Sequence, residues 1–218
     1  MASARLKERT ALGLVFILGV VLIVMAVPRL VAGVLGVPAD RVGFHLRDGA
    51  QVTDEALIGM VAARRAALSW HETARAHRDI AAAALHLGHR HQDPEEYEAA
   101  LQAVRRSLAM APVDPHSWAR LAHLAMTHER DALMAIKALR ASIQAGAYEP
   151  TIDPWRVALM LRLWSVATVG ERELFTSQIR QLSEEDPDAL MALRSDARIA
   201  SIIDAALEAP GSSTAPDT

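Results

Sequence analysis

Residues 81–122 read AAAALHLGHRHQDPEEYEAALQAVRRSLAMAPVDPHSWARLA, and their spacing decides the fold. Leu87-Gly88 opens a series that continues through Ala100, Val104, Ser107-Leu108 and Pro112, and 34 residues after Leu87 the pair returns as Leu121-Ala122. Asp93-Pro94 and Asp114-Pro115 punctuate the series. In such a pair the aspartate can cap a helix, and proline suits the first helical turn because its missing N–H would have gone unbonded there. Helix, turn and helix therefore recur at a fixed period.

The same signals continue outward. Asp153-Pro154 and Asp186-Pro187 read as further helix starts, as does Thr53 with Asp54 and Glu55 in its first turn. Ser69-Trp70-His71-Glu72 has the spacing of a capping box, while Gly146 and Gly170 read as stops. The predicted helices cover 53–68, 70–91, 94–111, 115–128, 130–145, 154–168, 171–185, 187–194 and 196–207. No segment alternates like a strand. The composition agrees: 51% hydrophobic but only 4% aromatic, so the core is built from Ala, Leu, Val, Ile and Met.

The repeat resembles the tetratricopeptide family, whose 34-residue unit is a helical hairpin. There a large aromatic, a leucine and a small residue mark the first helix, small residues around a bulky one mark the second, and a proline follows. Ala100, Val104, Ser107 and Pro112 match the second helix of a unit spanning 81–114. Trp118, Leu121 and Ala122 match the first helix of a unit spanning 115–149; Ala135, Leu139 and Ser142 match its second if one residue is inserted. A third, divergent unit covers 150–187, with Trp155, Leu159, Leu163, Phe175, Ile179 and Leu182 as its packing set. The resemblance implies an all-α, short helical-repeat solenoid over 53–207, with 53–68, 187–194 and 196–207 as terminal caps.

Ahead of it, Thr10–Pro28 contains no charged side chain, and as a helix those residues measure about 28 Å, close to the ~30 Å of a bilayer's hydrocarbon core. Leu30–Val37 continues the apolar run. Arg5, Lys7 and Arg9 precede it, so residues 1–9 are expected in the cytoplasm and the rest beyond the membrane. The expected layout is a head at 1–9, a transmembrane anchor with interfacial extension at 10–37, a connector at 38–52, the helical domain, and a disordered tail at 208–218. A cleaved signal peptide with Val24-Met25-Ala26 at its cleavage site competes with this reading. The length of the apolar run favours an uncleaved anchor in a bacterial inner membrane.

Charge and composition narrow the function. Setting aside Arg5, Lys7, Glu8, Arg9 and Arg29 leaves 19 basic and 25 acidic residues, a net of −6. That balance argues against nucleic acid, and against an anionic lipid surface as the main partner. Cysteine is absent, which excludes disulfides, thiolate metal sites and thiol nucleophiles. No nucleophile elbow, phosphate loop or metal triad is present, so an enzyme is not expected, and neither is a cofactor. Asp93-Glu95-Glu96-Glu98 and Glu184-Glu185-Asp186 read as helix-end carboxylates. His86, His89 and His91 are clustered, but no HExxH accompanies them, and the expected metal is none.

Residues one beyond the small position of the first helix tend to face the family's concave, partner-binding groove. By that resemblance His89 and His123, which follow Gly88 and Ala122, line the groove, with His116 and Arg120 nearby. The expected function is a membrane-tethered scaffold on the periplasmic face, binding other membrane or periplasmic proteins. Anchored proteins of this kind accompany envelope and exopolysaccharide assembly, which gives the expected pathway. The alternatives are a periplasmic chaperone-like module and a histidine-based metal-binding protein.

Overall fold

The computed structural model describes residues 2–47, 50–194 and 196–208. The expected tail beyond Glu208 lies outside the described residues. The described chain is all-helical, and it divides into two compact units, residues 1–110 and 111–218.

In the first unit α1 (Ala2–Arg47) is a single helix that runs through both Pro28 and Pro38. It is long and apolar enough to cross a membrane. Its side chains from Leu14 to Leu30 are almost all exposed, while Ala32, Gly36, Ala39 and Gly43 are buried. Those four recur at helical spacing, so one face of small residues lets another helix approach closely. That helix is α2 (Asp54–Leu68), which presents Leu57, Met60, Arg64 and Ala67. Residues 38–47 are therefore helix and not the expected connector. Proline and glycine signal loops only where nothing packs on them, and here α2 supplies tertiary contacts that outweigh local propensity. Only the stretch from residue 50 to Thr53 remains as a described turn.

α3 (Ala74–His91) and α4 (Pro94–Met110) form the hairpin that the repeat predicts. Leu87, Ala100, Val104 and Ser107 are all buried. Gly88 is small for a packing reason: a Cβ there would lie 3.2 Å from the Tyr97 ring. The core of this unit joins Ala39 of α1 to Val52, Leu57, Met60, Ala83 and Leu87. The last turns of α1 thus pair with α2, and α2 is the second arm of a hairpin instead of a free-standing cap. The start of α3 also differs from expectation. Ser69 donates to the Ala66 carbonyl (2.7 Å) at the end of α2, and Thr73 is the actual N-cap, accepting from Ala76 N–H (3.2 Å).

The second unit contains α5 (Pro115–Thr127), α6 (Ala132–Ala145), α7 (Asp153–Leu163), α8 (Val169–Glu185), α9 (Pro187–Ala192) and α10 (Ala197–Glu208). Asp114 and Asp186 cap as expected, through Ser117 N–H (3.2 Å) and Ala189 N–H (2.9 Å). Asp153 does not cap. It is the first residue of α7, and its carboxylate accepts from Glu149 N–H (2.8 Å) and from Arg156 (2.9 Å). Gly170 lies inside α8 and stops nothing; Thr168 and Glu171 form the capping box that starts this helix. Leu121, Ala135, Leu139, Leu159, Leu163, Phe175, Ile179 and Leu182 are buried, and Trp118, Trp155 and Trp164 are half-buried.

One bond repeats in both units. Ser107 donates to the carbonyl of Ala74 (3.1 Å), and Ser142 donates to that of Pro115 (2.7 Å). Ala74 and Pro115 each open the first helix of their hairpin, and each serine lies near the end of the second. The serines match at the repeat spacing once one residue is inserted between Leu121 and Ala135, but the carbonyls they reach do not: the bonds span 33 and 27 residues, because α3 begins about two turns earlier in the repeat than α5.

Candidate functional site

Arg64 bonds to residues of two other helices in the first unit. It occupies the apolar face of α2 in register with Met60 and Ala67, and is 6% exposed. Its Nη2 lies 2.6 Å from both Asp40 Oδ1 and Asp79 Oδ2, its Nε donates to Asp79 Oδ2 (2.9 Å), and its Nη1 reaches the Gly36 carbonyl (3.4 Å). Arg75 adds a second cation at 2.6 Å from Asp40. One guanidinium therefore ties α1, α2 and α3 together just beyond the exposed apolar segment. Gly36 makes room for it, since a Cβ there would meet Arg64 Nη1 at 2.6 Å.

At the opposite end of the same helices, Asp54 receives Arg90 (2.6 Å) and His91 (2.8 Å). The hydrogen bond from Arg90 holds the Asp54 carboxyl below its ordinary range, with His91 acting in the same direction. α2 is thus held to α3 by ionic contacts at both ends. Sequence reading missed this network, although one sign was present: a charged residue in step with Leu57, Met60 and Ala67.

The four residues assigned to the groove fall in different units. His89 is exposed on α3, and its carbonyl accepts from the Gln92 side chain (2.7 Å). His116, Arg120 and His123 share one face of α5 at helical spacing, and all three are half-buried. His123 packs on the Trp155 ring with centroids 5.1 Å apart, and His116 lies 3.6 Å from Glu149. This α5 face is thereby turned toward the start of α7, and His123 is partly a packing residue.

A second buried arginine organises the second unit. Arg156, fully buried, bonds the Ser142 hydroxyl (3.1 Å), the Ser142 carbonyl (2.9 Å), the Gly146 carbonyl (2.8 Å) and Asp153 (2.9 Å). It supplies positive charge to the C-terminal end of α6, where the helix dipole is negative. Burial pushes the Asp153 carboxyl up and the Arg156 guanidinium down, each against the attraction of the other.

Among the described residues no group of three or more His, Cys, Asp or Glu could hold a metal ion. His91 is engaged by Asp54 instead of converging with its neighbours.

No family model matches the sequence, and no curated protein matches it. Among solved structures, residues 1–338 of an assembly chaperone of RpL4 (Acl4) are similar at 15% identity and a TM-score of 0.44. The match covers 81% of this chain and 58% of the other, so this chain spans little more than half the length of that protein.

Proposed function

We propose that this protein is a membrane-tethered, non-catalytic interaction scaffold, with α1 as a single-pass anchor and the helical hairpins on the periplasmic side of a bacterial inner membrane. The observation that carries the reading is the division of α1. Its apolar turns up to Leu30 are exposed, and its later turns are built into the first hairpin. An apolar helix surface of that extent is stable in lipid, not in water. Confinement to a membrane raises the effective concentration of the hairpins toward other membrane-bound components.

A role as accessory factor in envelope or exopolysaccharide assembly is proposed by analogy of layout: a short basic head, one span and a small helical-repeat domain. The test is crosslinking in membranes, followed by identification of what the full chain holds. Enrichment of glycosyltransferases or export proteins supports the reading; capture of assorted unfolded polypeptides replaces it with a chaperone-like role. An export-dependent reporter fused after Asp217 should be active, and the chain should stay in the membrane at alkaline pH. Release at alkaline pH removes the anchor from the proposal.

A further inference from the structure

Several arginines gather at one end of the first unit, beside the carboxylates of Asp40 and Asp79 and of Glu72, which pairs with His77. α2 runs back along α1, since Arg64 near its end reaches Gly36 and Asp40. α3 begins at that same end, where Arg75 reaches Asp40, and α4 finishes there, where Ser107 bonds Ala74. An open groove of about 560 Å³ lies at this end, lined by Arg65, His77, Arg105 and Arg106 over the apolar side chains of Leu68 and Ile80. Trp70, 52% exposed, stands in the adjoining turn between α2 and α3.

We propose that this groove seats the phosphate of an anionic phospholipid headgroup, at the surface of the membrane that α1 enters. The proposal rests on the reading of α1 as an anchor. Distance supports it: four residues separate Ala32, the first buried residue among the described side chains of α1, from Gly36, a rise of about 6 Å. The headgroup layer is about 5–7 Å deep on each side of the hydrocarbon. Gly36, and with it the Arg64 head that reaches its carbonyl, is therefore level with the headgroups, and Arg65 of the groove is the next residue of α2. Guanidinium groups bind phosphate through paired N–H donors, and Leu68 and Ile80 suit the carbon atoms that follow the phosphate. An exposed tryptophan at this depth matches the preference of indole for the interface. Arg65 also complements the C-terminal dipole of α2, a role that needs no ligand. Arg105 and Arg106 come from α4, so the groove draws its cations from two helices.

The full chain in detergent micelles tests this by thermal melting against short-chain phosphatidylglycerol, short-chain phosphatidylcholine and inorganic phosphate. Phosphatidylglycerol should raise the melting temperature, and the other two should not. Replacing Arg65, Arg105 and Arg106 together by glutamine should weaken the phosphatidylglycerol effect on the order of a hundredfold in concentration, at about fivefold per arginine. Should the triple variant fold poorly, Arg106→Gln alone should still show the fivefold loss. A shift in the triple variant equal to that of the parent overturns the groove as the site. An equal shift from inorganic phosphate makes it a site for soluble anions and overturns the lipid assignment. Release of the chain from membranes at alkaline pH refutes the anchor separately, whatever the lipid titration shows.

Discussion

Arg64 and Asp79 meet at 2.6 Å with side chains only 8% and 11% exposed, and this pair joins the helix that follows the apolar segment to the first repeat hairpin. Burying two charges is expensive, so such a pair adds little net stability while intact, yet losing one partner strands the other. Arg64→Ala is expected to cost about 3–5 kcal/mol. Arg64→Met combined with Asp79→Leu should be close to neutral, because Asp40 keeps Arg75 as its partner. Denaturant unfolding of the three proteins checks this. A double variant as unstable as Arg64→Ala would show that packing volume matters at this position, and not charge.

Ser142 donates to the Pro115 carbonyl and also accepts from Arg156, which is fully buried. Ser142→Ala should cost about 2–3 kcal/mol, since a buried charged donor then loses an acceptor. Thermal melting of the variant checks this, and a loss below about 1 kcal/mol, the net worth of one ordinary hydrogen bond, would refute the role given to Arg156.

The capping box of α8 makes a prediction about pH. Glu171 accepts the backbone N–H and the hydroxyl of Thr168, both at 2.8 Å, and the backbone bond first, then the hydroxyl, hold its carboxyl below the ordinary value of 4.5. For an acid with a lowered folded pKa, the stabilisation is complete above the unfolded value and fades as pH falls through the folded one. Glu171 is half-buried and reached by solvent, so the effect is modest. An NMR titration should place its midpoint below 4.5, and Thr168→Val should move it upward while costing about 1 kcal/mol of cap stability. No movement would mean that the box does not form in solution.

The two repeat-equivalent histidines should respond differently to substitution. His89 is exposed, and His89→Glu is expected to shift stability by less than about 0.5 kcal/mol. His123 packs on Trp155, and His123→Ala should cost about 0.5–1.5 kcal/mol. Leu121→Ala, at a side chain 4% exposed, should cost about 2–5 kcal/mol. Thermal melting of the three variants tests the order. Equal losses at His89 and His123 would indicate that the ring contact contributes nothing.

The repeat was legible because Leu87 and Leu121, with Gly88 and Ala122 beside them, are core residues whose spacing follows directly from helix geometry. The boundary at Pro38 and Gly43 was not. Local signals there favour a loop, and only the small-residue face meeting α2 reveals a helix. The Ser69 box failed for a related reason: its hydroxyl is used to finish α2, which leaves Thr73 to begin α3. Arg64 was invisible as a site because its carboxylate partners, Asp40 and Asp79, lie on two other helices. No local pattern encodes such a meeting.

The unbroken course of α1 from apolar segment to hairpin has a rotational consequence. Each residue of an α-helix turns the chain by about 100° and advances it by about 1.5 Å. With no slack between the exposed turns and Ala32, the number of residues in α1 sets the compass bearing of the first unit about the helix axis. Inserting one alanine between Leu30 and Ala32 would barely change the height of that unit, yet would swing its faces by more than a quarter turn. Inserting seven would nearly restore the bearing at about 10 Å greater height. Bearing and height are thus separately addressable in this protein, by insertions that leave every core side chain in place.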